Sequence, residues 1–177
     1  DNRLKKIIND WWKLKTHGLN SKNALITLNI PHLLANEISI LWFTQIEDLF
    51  WSYFDAVFVD FFDFYAKCKL QKIDLFLLTA RTNKMVLQQQ LYNVGIYHFF
   101  KKIFVVNHQN VIENKAVILK KNKPEFFIGD TETDFQAAQL SSTKFICSTR
   151  GQRTLHFFNN YKIDIFFNNF NHLNNLI

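Results

Sequence analysis

Apolar positions follow two different periods along this chain, and the change falls near residue 57. Before it, Leu4, Ile7, Ile8, Trp11, Trp12 and Leu14 lie at helical spacing, which predicts an amphipathic helix ending near Gly18. Ser21 to Ile30 reads as a second helix stopped by Pro31. His32 to Tyr53 reads as a longer third one, with a face of Trp42, Phe43, Phe50, Trp51 and Phe54 that is expected to pack as core. Beyond residue 57, helical windows alternate with short apolar runs. Helices are predicted over Val57 to Cys68, Asn83 to Val94 and Glu113 to Lys121, and strands over Asp74 to Thr79, Lys102 to Val106 and Glu125 to Ile128. Strands at Lys144 to Cys147 and Asp164 to Phe166, with helices near Gln152 to Asn159 and Phe170 to Leu176, complete the run. Alternation of this kind predicts an α/β fold built on a doubly wound parallel sheet, preceded by a small helical segment.

Composition agrees with a folded chain. A length of 177 residues suits one domain, and a chain of this size buries about 70% of its unfolded surface. Hydrophobic residues make up 48%, with 20 Phe against 4 Gly and 2 Pro, which excludes extended disorder. Cys68 and Cys147 have neither paired spacing nor histidines at zinc-ligand intervals, so reduced interior thiols in a cytoplasmic protein are expected. Charged residues interrupt the most apolar region, and no basic-then-apolar leader opens the chain, so neither a membrane span nor a membrane partner is predicted.

Charge changes the picture more than composition does. The net charge of +6 is unevenly spread: from Asn23 to Ala66 there is no Lys or Arg, and that segment carries −6 against +12 for the remainder. The basic clusters, such as Lys120, Lys121 and Lys123, read as solvated helix faces. Without a recognition motif they do not argue for nucleic acid as a partner.

Candidate chemistry concentrates where apolar runs stop. Glu125 to Ile128 is a strand, Gly129 its turn, and Thr133 opens a helix, so Asp130 and Asp134 fall at the carboxyl end of a strand. Ligands bind at that edge of open α/β sheets. Two carboxylates there repel each other unless a cation or a lysine lies between them, and Mg2+ suits such oxygen donors. Turn formation with an N-cap is the alternative reading of the same residues. Lys115 lies fifteen residues before Asp130, and the run Leu75 to Ala80 ends a second strand on the hydroxyl of Thr79.

A strand ending in Thr, a later Lys, then a strand ending in Gly-Asp-x-x-x-Asp resembles the second, third and fourth motifs of the haloacid dehalogenase superfamily of phosphohydrolases. The resemblance implies a core over residues 55–177 and a small helical cap over residues 3–54, inserted after the first strand. It implies a Mg2+-dependent phosphatase of a small phosphorylated metabolite, acting through an aspartyl-phosphate. By the resemblance, Thr79, Ala80, Arg81 and Lys115 would hold the phosphoryl group. Asp130 would bind Mg2+ directly and Asp134 would orient a metal-bound water or Lys115, while Glu132 would face solvent. Gly151 and Arg153 resemble a less specific later stretch and receive no role.

The first motif of that family, a strand ending in Asp-x-Asp, has no counterpart in residues 1–177. Asp1-Asn2 looks like the tail that follows it, so the nucleophile strand is expected upstream of residue 1 and missing from this chain. In the family that strand lies between those ending at Thr79 and Gly129. Two other readings follow from its absence and from the charge: a non-catalytic relative that uses the fold for binding, and a basic nucleic-acid-associated module.

Overall fold

The computed structural model describes residues 2–176, so the reading of Asp1 lies outside the described residues. Four helices come first: α1 (Asn2–Thr16), α2 (Ser21–Thr27), α3 (His32–Gln45) and α4 (Leu49–Ser52). Trp11, Ala24, Leu25 and Ala35 form their own buried cluster, against which Leu14 and Trp42 pack. The Trp11 indole N–H donates to the Ser21 carbonyl at 3.1 Å, and the Asn20 side chain caps α2 by accepting from the Asn23 N–H at 2.8 Å. None of the helices among the described residues is long and apolar enough to cross a membrane.

The third predicted helix breaks after Gln45. Asp48 adopts an extended backbone and its carboxylate accepts from the Phe50 N–H, opening α4 as a separate turn. The break ends the single helical face along which the aromatic residues were expected to align. Trp42 turns inward, its ring 4.9 Å from that of Trp11, whereas Phe43, Phe50, Trp51 and Phe54 are about half exposed or more. Most of the stripe is therefore not core.

The remaining elements alternate: α5 (Val59–Leu70), β1 (Phe76–Ala80), α6 (Lys84–Asn93), β2 (Lys102–Val106), α7 (Val111–Asn122), β3 (Phe126–Gly129), α8 (Glu132–Ser141), β4 (Lys144–Ser148), α9 (Leu155–Phe158) and β5 (Ile165–Phe167). Residues Phe170–Asn175 form a 3-10 turn rather than an α-helix, and α9 is shorter than the pattern suggested. Pairing is parallel throughout, with Phe76 opposite Lys102, Phe126 opposite Lys144 and Ile146 opposite Ile165. Alternate side chains of β3 and β4 enter two layers. Phe126, Ile128 and Ile146 join Phe64 and Cys68 of α5, whereas Phe127 and Phe145 join Ala116 and Leu119 of α7 and Ala137 and Ala138 of α8. Helices thus cover both faces, as a doubly wound α/β fold requires.

One feature sets this sheet apart. β1 and β2 form one pair, β3, β4 and β5 another set, and no hydrogen bonds join β1 to β3. Between them lies a cavity of about 290 Å³ lined by Leu77 and Leu78 on one side, Phe127 and Ile128 on the other, and Cys68 and Leu119 from the two helix layers.

Candidate active site

The turn after β3 is built around Asp134. Thr131 caps α8, its hydroxyl accepting from the Asp134 N–H at 3.3 Å, and Glu132 and Asp134 fill the helix's first turn, where the dipole favours negative charge. The Asp134 carboxylate then turns back over the strand end. It accepts from the Lys115 ammonium at 2.6 Å, the Thr131 hydroxyl at 2.7 Å and the Asp130 N–H at 3.4 Å. Both side chains of the Lys115–Asp134 pair are only 8% exposed. Lys115 reaches it from α7, whose packing against α8 through Ala116, Ala137 and Ala138 sets the two side chains face to face. Small residues are needed there: a Cβ on Gly129 would lie 2.5 Å from the Cβ of Asp134.

Asp130 stands beside this pair. Its carboxylate accepts the Gln152 N–H, and a Cβ on Gly151 would lie 2.0 Å from its Oδ2, so only glycine lets the 150–153 loop approach. Burial pushes the Asp130 carboxyl above the ordinary carboxylate range, and the neighbouring Asp134 charge adds to this. The Gln152 N–H and the Lys115 charge oppose the rise. On β4, Cys147 lies in register with Gly129, and burial together with the charges of Asp130 and Asp134 pushes its thiol up to about 12. A thiol raised in this way is disfavoured as the thiolate.

Asp130, Asp134 and Lys115 carry one net negative charge, which suits an added cation. Both Asp134 oxygens are already committed, so Asp130 is the carboxylate with capacity for a metal. Among the described residues there is no cluster of three or more His, Cys, Asp or Glu that could hold one. Mg2+ commonly binds through one or two carboxylates, waters and substrate phosphate, so a single Asp130 is compatible with it.

Thr79 and Ala80 end β1 across the divide, and Arg81 follows them. Among the described residues, no hydrogen bond or ion pair joins these three to Lys115, Asp130 or Asp134. Thr79 instead lines an open cavity of about 390 Å³ with Phe58, Phe61, Arg81 and Gln90. Arg81 lies 3.9 Å from Glu47, in the connection between α3 and α4. The sequence-predicted residues therefore lie as two groups on either side of the gap in the sheet.

Comparison with solved structures places this arrangement. A haloacid dehalogenase-like family hydrolase from Streptococcus pneumoniae superposes with a TM-score of 0.62 at 18% identity, covering 88% of this chain and 75% of that one. A protein of Bacteroides fragilis named for its likeness to haloacid dehalogenase hydrolases gives a TM-score of 0.67 at 20% identity, covering 95% and 82%. The chain has the haloacid dehalogenase-like fold. A predicted phosphatase from Clostridium acetobutylicum matches the same fold with a TM-score of 0.65 at 15% identity, over 93% of this chain and 80% of that one. Comparison of the sequence with known family models and with curated proteins finds no match.

Within this haloacid dehalogenase-like fold, the structure corrects one reading and adds another. Glu132 does not face solvent freely: it takes the Arg153 Nε–H and Nη2–H at 2.8 and 2.7 Å. Arg153 is buried and also donates to the Lys15 carbonyl at 2.7 Å, so Glu132 and Arg153 tie the turn after β3 to the end of α1. The second addition is Glu47, which sequence reasoning counted only as an acidic residue of the cap. Nothing local marked it, because its partners lie 35 and 61 residues away.

Proposed function

We propose that this chain is the core and helical cap of a Mg2+-dependent phosphohydrolase acting on a small phosphorylated metabolite in the cytoplasm. The observation that carries the reading is the buried Lys115–Asp134 pair at 2.6 Å with Asp130 beside it, at the carboxyl ends of parallel strands. A structural ion pair needs no second carboxylate held next to it against repulsion. A phosphoryl-transfer site does, because it must carry both a cation and a charged substrate.

In this reading Asp134 positions Lys115, Lys115 offers its ammonium to a phosphoryl oxygen, and Asp130 provides the metal carboxylate. Mg2+ held there would supply positive charge to the phosphoryl oxygens. Thr79 and the N–H groups after it would donate to the same oxygens from the other side of the gap. The remaining need is a nucleophile. A carboxylate oxygen would displace the ester oxygen from phosphorus, the departing alcohol would take a proton, and water would then cleave the aspartyl-phosphate to release inorganic phosphate.

We place that carboxylate on a strand seated between β1 and β3. The support is the cavity between them, lined by apolar side chains and bordered by two parallel strands not bonded to each other. The test is to fuse a five-residue apolar strand ending in Asp-x-Asp ahead of residue 1 and to measure phosphate release from a panel of phosphate monoesters with and without Mg2+. Metal-dependent release that Lys115→Met abolishes is expected. A folded fusion that releases no phosphate from any ester would favour the non-catalytic binding reading.

A further inference from the structure

We propose that the loops after β1 and β2 form an oxyanion-binding site on the core, which Glu47 of the cap fills in this conformation and an external oxyanion fills when the cap moves away. The site is defined by its donors. The Glu47 carboxylate, 10% exposed, accepts from the Thr82 N–H at 2.8 Å, the Thr82 hydroxyl at 2.6 Å and His108 Nε2 at 3.0 Å, with the Arg81 guanidinium 3.9 Å away. A backbone N–H, a hydroxyl, an imidazole and a guanidinium converging on one point are the donor set used to hold carboxylate, phosphate or sulfate. All four belong to the core, and the anion alone comes from the cap.

Two further observations show that the cradle is not saturated by Glu47. Arg81 Nε is buried without a hydrogen-bond partner, so the guanidinium has donor capacity that Glu47 does not use. A polar cavity of about 110 Å³ adjoins it, lined by Glu47, Arg81 and Asn83. The other charged groups bordering that cavity are Asp48 and Asp55, whose carboxylates are engaged by the Phe50 N–H and the Gln90 amide. Their charge disfavours a second anion alongside Glu47. The site therefore exchanges one anion for another, and binding is coupled to departure of the cap's carboxylate. A phosphate ester bearing a second acidic group could engage Thr79 and the cradle together; that extension rests on the function proposed above, whereas the cradle itself does not.

The experiment is titration calorimetry of the full chain with inorganic phosphate, without divalent metal, so that its outcome is independent of turnover. Glu47→Gln keeps the side chain's shape and removes the competing charge. It should bind phosphate at least about tenfold more tightly than the wild type, and adding His108→Gln should reverse the gain. A phosphate held at Lys115 and Asp130, apart from Arg81 and Thr82, would be indifferent to both changes. As a readout that needs no Glu47 variant, phosphate but not chloride should saturably increase proteolysis within residues 46–55 of the wild type, and this should vanish in His108→Gln. Unchanged affinity in Glu47→Gln, a gain that survives His108→Gln, or a wild-type cap insensitive to phosphate would each overturn the proposal.

Discussion

Two carboxylates, Asp134 and Glu47, are held in nearly the same way and stand for opposite kinds of structure. Each takes a backbone N–H, a threonine hydroxyl and a cationic or ionisable nitrogen partner, and each is about nine-tenths covered. Asp134 draws its partners from α7 and its own turn. Glu47 draws its partners from the loops after β1 and β2, 35 and 61 residues further along the chain. With the movable cap proposed above, the same chemistry would build a permanent fixture in the first case and a separable contact in the second. What differs is what happens when a partner is lost: Lys115 would stay buried without a carboxylate, whereas Arg81 and His108 would meet water as soon as the cap loosened.

The largest expected effect follows from that asymmetry. Asp134→Ala should destabilise the chain by about 3 to 5 kcal/mol, because it strands a buried ammonium and removes the acceptor for the Thr131 hydroxyl. Glu47→Ala, measured by the same urea unfolding, should cost only about 1 kcal/mol. Lys115→Met combined with Asp134→Leu should recover more than half of the Asp134→Ala loss, since an apolar pair leaves no unpaired charge. Equal losses from Asp134→Ala and Glu47→Ala would erase the distinction between fixture and contact.

The same contrast explains what could be read from the chain beforehand. The placement of Asp130 and Asp134 at a strand's end was legible because a strand, a glycine and a helix start fix their spacing within one turn. Lys115 and Thr79 stood out only as members of an ordered set, since a lone lysine on a helix or a hydroxyl at a strand end is ordinary. Glu47 was illegible. Its environment depends on where α3 stops, and the helix break after Gln45 was itself missed because Ile46 to Tyr53 keeps an apolar, helix-compatible composition. Arg153 was visible but mute, for its role needs the carbonyl of Lys15, 138 residues away. Alternating periods conveyed the fold well, because a buried parallel strand and an amphipathic helix impose different spacing. Exposure of Phe43, Phe50 and Phe54 was not conveyed, since hydrophobicity states a preference for burial without supplying the partner that buries it.

A second effect, of intermediate size, concerns pH. Burial alone would push the Glu47 carboxyl up, but the two Thr82 hydrogen bonds, His108 and Arg81 outweigh it and hold the group below the ordinary carboxylate range. A carboxylate with a lowered folded value contributes stability that is present above its unfolded value and lost as pH falls through the folded one. The Glu47 contact should therefore persist from neutral pH down to about 4.3 and weaken progressively below that. Tryptophan emission reports it, since Trp42 on α3 and Trp51 on α4 flank Glu47 in the chain. Glu47→Gln should remove the acid-dependent change in emission while leaving the spectrum at neutral pH nearly unaltered. Acid-dependent emission of wild-type size in that variant would show that another group governs this contact.

The smallest expected effect comes from the lysine that lacks what Lys115 has. Lys15 is 5% exposed, and among the described residues it makes no ion pair. Its ammonium lies 4.5, 5.0 and 4.5 Å from the ring centroids of Trp11, Trp12 and Trp42. Burial, with the charge of Arg153 adding to it, pushes Lys15 down to about 8. The ring faces oppose this by attracting the charged form, each by about 0.5 to 2 kcal/mol. These opposing terms leave little net stabilisation, so Lys15→Met should change stability at pH 7 by less than about 1 kcal/mol, in contrast to the same substitution at Lys115. The sign of the pH dependence follows from the lowered value. Between about 8 and 10.5 the unfolded chain holds the proton more tightly than the folded one, so wild-type stability attributable to this group rises with pH across that window. Urea midpoints at pH 7 and pH 9.5, compared between wild type and Lys15→Met, isolate the contribution. A wild type no more stabilised at pH 9.5 than the variant would mean that the three indole rings hold the ammonium charged as firmly as water does.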